Sequence, residues 1–164
     1  MTASPALAPS SAPRNRPDIG ATAQIALGVE SSPREVGRVR KTMAKALGAW
    51  GVTGLADDVL LVVSELVTNA VQHALGSEIA FVATCGDGHV LIEASDASTA
   101  APAKPRAITD NAEDGRGLAL VEALASDWGW TPHEDGTKST WAVIAISAEE
   151  REYADCHTGT GVRP

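Results

Sequence analysis

At 164 residues the chain is about one domain long, and an apolar content of 44% suffices for a single core. Thirteen Lys and Arg against 21 Asp and Glu leave a formal charge of −8, which argues against nucleic acid held by a phosphate-neutralising basic surface. No apolar run approaches a membrane span, and the N-terminal stretch lacks the compact apolar core of a secretory signal. Cys85 and Cys156 have no metal-ligand spacing, so a cytoplasmic protein with reduced thiols and no membrane contact is expected.

Residues 1–20 are rich in Ala, Pro, Ser and Arg and read as a disordered tail; residues 149–164 read as a second, C-terminal tail. The folded body is therefore expected over 21–148. Partial alternation in residues 22–29 predicts a first strand. Ser32-Pro33-Arg34-Glu35 offers an N-cap, a proline at the first helical position and a glutamate placed to close a capping box, opening a helix to about Trp50. Residues 57–75 predict a long amphipathic helix: Val59, Val63, Leu66, Val67, Ala70 and Ala74 share one face, and Asp58, Glu65, Asn69 and Gln72 lie on the other.

Two short β-prone runs, 78–85 and 89–95, flank Gly86-Asp87-Gly88 and predict an antiparallel hairpin. Residues 97–114 form an Ala- and Pro-rich stretch longer than most connections in a compact domain, as lids and linkers are. Gly115-Arg116-Gly117 then leads into an apolar helix to about Ala125, and residues 127–132 and 137–146 predict a closing hairpin around Gly136. The order β-α-α-β-β-loop-α-β-β predicts an α+β two-layer sandwich with helices on one face of a mostly antiparallel sheet.

Three features carry possible chemistry. Glu65 and Asn69 stand one helical turn apart, with Gln72 and His73 continuing the same side. The stripe reads either as a solvated face or as the wall of a polar cavity, and the absence of Lys and Arg between Lys45 and Lys104 favours the wall. A carboxylate and an amide so placed suit Mg²⁺, a hard cation that keeps waters and takes phosphate oxygens, so they would need a nucleotide's help. Asp96 ends the second β run, either as a turn former or as an acceptor for an amino group such as adenine's. Gly115-Arg116-Gly117 is either a plain loop-to-helix junction or a backbone site for phosphate at a helix N-terminus.

Other chemistries find no support. The glycine pattern lacks the Walker lysine and is not G-x-G-x-x-G. Ser64 and His73 cannot meet on one helix, no nucleophile elbow is present, and His73, His89, His133 and His157 show no pair at metal spacing. Trp128, Trp130 and Trp141 read as core or sheet-face aromatics of the last hairpin.

In combination, Glu65-Leu-Val-Thr-Asn69-Ala-Val-Gln-His73-Ala, Asp96-Ala-Ser98 and Gly115-Arg-Gly-Leu-Ala-Leu-Val121 resemble the N, G1 and G2 boxes of the GHKL superfamily of ATPases and kinases. Within it the chain is similar to the small anti-sigma-factor serine/threonine kinases, particularly the stand-alone actinobacterial members. Ser32-Pro33, Asp57-Asp58, Trp128-Gly129-Trp130 and Gly136-Thr-Lys138-Ser-Thr-Trp141 fit that subgroup, and the likeness spans about residues 22–146.

The resemblance implies a Bergerat-type ATP site in an ATP-binding, kinase-like domain over 21–148. By matching position, Asn69 would ligate Mg²⁺, Asp96 would hold the adenine amino group, the turn Gly115, Arg116, Gly117, Leu118 would receive phosphates, and Glu65 would be the general base. Residues 97–114 would be the ATP lid, and His73 and Ser98 would stand near the cofactor. Arg116 and Lys138 are the nearby cations with a route to the triphosphate. The implied activity is phosphorylation of a serine on an anti-sigma antagonist by a kinase that also binds a sigma factor, commonly as a homodimer. The helix bearing Arg34, Arg38 and Arg40 is a candidate docking element or simply a solvated face. Asp96 is followed by Ala97-Ser98 with no glycine before Gly115, where G1 boxes usually have glycines. A lid with less hinge freedom also fits an ATP-gated binding regulator with little or no kinase activity. A detached histidine-kinase domain would need an upstream phosphoacceptor His, and residues 1–31 hold none.

Overall fold

The structure, a computed structural model, describes residues 13–74, 76–97 and 116–150. The elements run β1 (Ala21–Val29), α1 (Pro33–Trp50), a 3₁₀ turn (Thr53–Leu55), α2 (Ala56–Ala74), β2 (Ile79–Gly86), β3 (His89–Asp96), α3 (Arg116–Leu124), β4 (Asp127–Pro132) and β5 (Lys138–Ala145). This is the order expected from periodicity, with the 3₁₀ turn added.

One five-stranded sheet has the order β1-β2-β3-β5-β4, and every ladder in it is antiparallel. β2 and β3 are joined by the tight turn Asp87–Gly88, where Gly88 takes φ 68°. Strand alternation divides the sheet into two faces. Val29, Ile79, Phe81, Ala83, Val90, Ile92, Ala94, Ala142 and Ile144 face the helices. The helices answer with Val39, Met43 and Leu47 of α1, the apolar stripe of α2 from Val59 to Ala74, and Leu118 and Val121 of α3. Burying each large aliphatic side chain here contributes about 1.5–3 kcal/mol, which makes this layer the main source of stability. The stripe expected on α2 is buried as expected, with Val62 added to it.

Two local expectations are corrected. The Ser32 side chain makes no capping hydrogen bond, although its backbone is extended as an N-cap requires; the Glu35 carboxylate turns forward to Arg38 and leaves the capping box open. Residues 13–20, read from composition as part of a disordered tail, lie across the outer face of the sheet. There Ile19 joins Leu91, Trp141 and Val143 in a second, smaller apolar cluster. Arg14 donates its backbone N–H to the Trp130 carbonyl, and Asp87 donates to the Ile19 carbonyl. Enough apolar and ionic contact is available on that face to offset the ordering entropy of the segment. The rest of that tail, residue 75, the stretch 98–115 that holds most of the expected lid, and residues 151–164 with Cys156 lie outside the described residues.

Trp128 packs on the main core, while Trp141 is fully buried in the outer cluster. Gly129, opposite Trp141 on β4, is required there: a Cβ would come within 2.7 Å of the indole ring. Cys85 is a free thiol on β2, and burial raises its pKa above the usual thiol value. Among the described residues no helix is long and apolar enough to cross a membrane.

Candidate functional site

Of the polar face of α2, Asp58 and Gln72 are exposed to solvent, whereas its middle is not. Glu65 and Asn69 are both partly buried, one turn apart on α2. The Glu65 carboxylate reaches the start of α3 so closely that a Cβ on Gly117 would collide with its Oε2. Glycine at this position leaves room for the approach, which brings a carboxylate to the helix end whose N–H groups are free of intrahelical partners. Burial raises the Glu65 pKa, because little compensates the cost of desolvating its charge. A carboxylate so placed is a stronger base than an exposed glutamate.

Asn69 Nδ2 is buried and makes no hydrogen bond. A buried amide N–H without an acceptor marks either strain or a ligand cradle; a phosphate oxygen would accept from it, and the amide's other end, Oδ1, is the kind of hard oxygen donor that a magnesium–phosphate complex takes. Among the described residues no group of three His, Cys, Asp or Glu side chains could hold a metal by itself. A cation at Asn69 would therefore draw its remaining ligands from phosphates and water. The donor set fits Mg²⁺ bound together with a nucleotide.

The second part of the site lies at the end of the sheet. Asp96 is the last residue of β3, and the β3–β5 register sets Lys138 directly opposite it. Both belong to the helix-facing rows, with Ala94 and Thr140 as the next pair inward. Lys138 Nζ lies 3.4 Å from Asp96 Oδ1, with the two side chains only 0% and 1% exposed. The Lys138 ammonium thus lies beside the carboxylate that the resemblance assigns to adenine. Thr140, absent from the sequence-based set, adds a fully buried hydroxyl without a hydrogen-bond partner. The sequence marks only the stretch 136–141 that contains it, because its burial depends on strand register.

Of the remaining expected residues, Leu118 is core, on the buried side of α3, and its backbone lies within the helix that Arg116 begins. His73 is half-buried near the end of α2. Ser98, Gly115 and the Arg116 side chain lie outside the described residues; Arg116 is the first residue of α3. The structure thus joins Glu65 to Gly117 and Asp96 to Lys138. All three α1 arginines are exposed; Arg38 also contacts Glu35 and the Gly28 carbonyl, and Arg40 the Ser64 hydroxyl.

Comparison with known proteins agrees with this architecture. One solved structure, of the RsbU and RsbW domains of Rv1364c from Mycobacterium tuberculosis, superposes with a TM-score of 0.58 at 21% identity. The match covers 76% of this chain and 33% of that one, so the chain spans about a third of that protein's length. The two share a fold. No curated protein matches the sequence. Residues 29–143 match the family described as "Histidine kinase-like ATPase domain", a span that takes in Glu65, Asn69, Asp96, Gly117 and Lys138. The chain belongs to the histidine kinase-like ATPase domain family.

Proposed function

We propose that this chain is an ATP- and Mg²⁺-dependent serine/threonine protein kinase of the anti-sigma-factor type, acting on a serine of an antagonist protein. The observation that carries the reading is the half-buried, pKa-raised carboxylate of Glu65 held against Gly117 at the start of α3. Phosphoryl transfer asks a protein for positioning and charge neutralisation more than for covalent chemistry. Glu65 takes the proton of the attacking serine hydroxyl as its oxygen bonds to the γ-phosphorus and the bond to the ADP oxygen breaks. Asp96 accepts from the adenine amino group, Asn69 holds Mg²⁺, and the N–H groups of the turn 115–118 receive phosphate oxygens. Magnesium bound there would neutralise phosphate charge.

The family supports ATP as the ligand. The boxes around Glu65, Asp96 and Gly117, together with the fold shared with the RsbU and RsbW domain structure, support the anti-sigma reading. A sigma factor and its antagonist are the proposed protein partners, the proposed setting is the cytoplasm, and the proposed assembly is a homodimer. Incubation with γ-labelled ATP, Mg²⁺ and the proteins captured on this chain from its native cell extract tests the activity. Wild type should label a serine on one captured protein. Glu65→Ala should bind ATP as before yet label about 10²- to 10⁴-fold more slowly. Should wild type bind ATP and label nothing, the kinase reading fails. The chain would then be an ATP-gated binding regulator, the reading that the missing G1 glycines favour.

A further inference from the structure

We infer that Lys138 reads the nucleotide base: paired with Asp96, it forms an acceptor–donor couple matched to the Watson–Crick edge of adenine, with Lys138 Nζ donating to ring nitrogen N1. The inference rests on the ATP reading above and goes beyond it by naming a second base-contacting residue.

Lys138 is one of the largest fully buried side chains of the molecule, and its ammonium makes no hydrogen bond. Among the described residues its one ionic contact, to Asp96 at 3.4 Å, is longer than a hydrogen bond of good geometry. Three N–H donors are thus held out of water with none of them spent. A buried ammonium is costly, and replacing a buried ion pair by apolar residues is commonly neutral or stabilising, so the pair is a poor device for stability alone. Two residues along the same row, the Thr140 hydroxyl is also buried without a partner. The inner face at this end of β5 therefore presents two unspent polar groups beside the carboxylate that ends β3.

Adenine offers a donor, the exocyclic amino group, next to an acceptor, N1. Asp96 and Lys138, neighbours across the β3–β5 ladder, offer an acceptor next to a donor in the complementary order. A 6-oxopurine reverses both positions: its O6 would meet the carboxylate and its N1–H would meet the ammonium. Two like-polarity contacts in a dry site reject such a base more firmly than a missing hydrogen bond does. Lys138 is in this view a specificity-determining residue at the base, remote from the transferred phosphoryl group.

Calorimetric titration with ATP, 1-deaza-ATP and ITP, in excess Mg²⁺, reads the contact without any turnover. 1-Deaza-ATP keeps the amino group and has C–H in place of N1. Wild type should bind it about tenfold or more weakly than ATP, the loss expected for a hydrogen bond from a charged donor, and ITP more weakly still. In Lys138→Met the ratio of ATP to 1-deaza-ATP affinities should fall toward one, the coupling that a double-mutant cycle isolates. Equal affinity of wild type for ATP and 1-deaza-ATP overturns the inference while leaving ATP binding intact, and does so even if Lys138→Met does not fold. An unchanged ratio in a folded Lys138→Met overturns it as well. No heat from ATP itself overturns the nucleotide reading first, a distinct outcome.

Discussion

On the helix side of the sheet Lys138 meets Asp96 with both side chains out of water, whereas on the outer side Arg14 meets Asp127 with exposures of 43% and 41%. Arg16 and Glu93 lie between these extremes, the arginine 52% exposed and the carboxylate 10%. The same chemistry serves different ends in the two places. Outside, water screens each pair, and the arginines act as much through packing: the Arg14 guanidinium lies 5.7 Å from the centre of the Trp141 ring and helps to fasten residues 13–20. Inside, water screens little, and the Lys138 ammonium has the Asp96 carboxylate as its counter-charge.

The sharpest way to break this comparison is to remove one inner partner. Asp96→Ala leaves the Lys138 ammonium without its counter-charge and should cost about 3–5 kcal/mol in urea unfolding. The double replacement Asp96→Leu with Lys138→Met should be far closer to wild type, since neither desolvated charge remains. Equal losses in the single and double variants would show that packing, not charge, dominates at this corner. A smaller effect is expected from Gly129→Ala, which drives a Cβ into the buried Trp141 indole and should cost about 1–3 kcal/mol as overpacking does. Thermal unfolding, with tryptophan fluorescence following the outer cluster, checks it.

Arg14→Ala should cost no more than about 1 kcal/mol, because the pair with Asp127 is half exposed. The cost should shrink with added salt, and a loss independent of ionic strength would assign the effect to packing on Trp141. Smallest is the contribution of Glu65. Its folded pKa lies above the ordinary 4.5, so below about that pH it is protonated in both folded and unfolded chains and costs nothing. As pH rises from there through the raised folded value, the unfolded chain releases the proton more readily and stability is lost. Glu65→Gln should therefore melt higher than wild type near neutral pH relative to its position at pH 4, with the difference setting in over that window. A difference of opposite sign would mean that the site stabilises the carboxylate charge. Phosphoryl transfer should follow the same titration and rise with pH as Glu65 ionises.

Much of the fold was legible because periodicity reports burial locally. The spacing of Val59, Val63, Leu66, Val67, Ala70 and Ala74 predicts α2 and its buried face without reference to any other element. Gly88 between two alternating runs does the same for the β2–β3 hairpin. Glu65 and Asn69 stood out through their spacing and the cation-free stretch around them. Composition misled over residues 13–20, where two arginines and one isoleucine order a segment otherwise poor in apolar residues by docking on a finished sheet. The capping box failed for a related reason: once α1 forms, Arg38 competes for the Glu35 carboxylate.

The amino-acid order by itself determined the succession of elements, the buried stripe of each helix and the three stretches that resemble a nucleotide site, since all of these follow from spacings within one segment. The tertiary structure alone decided which side chains meet. The β3–β5 register set Lys138 beside Asp96, the approach of α2 to α3 set Glu65 on Gly117, and the inward row brought the buried hydroxyl of Thr140 to the same corner. Contacts between residues far apart in the chain depend on strand register and helix packing, which the whole core sets and no local pattern encodes.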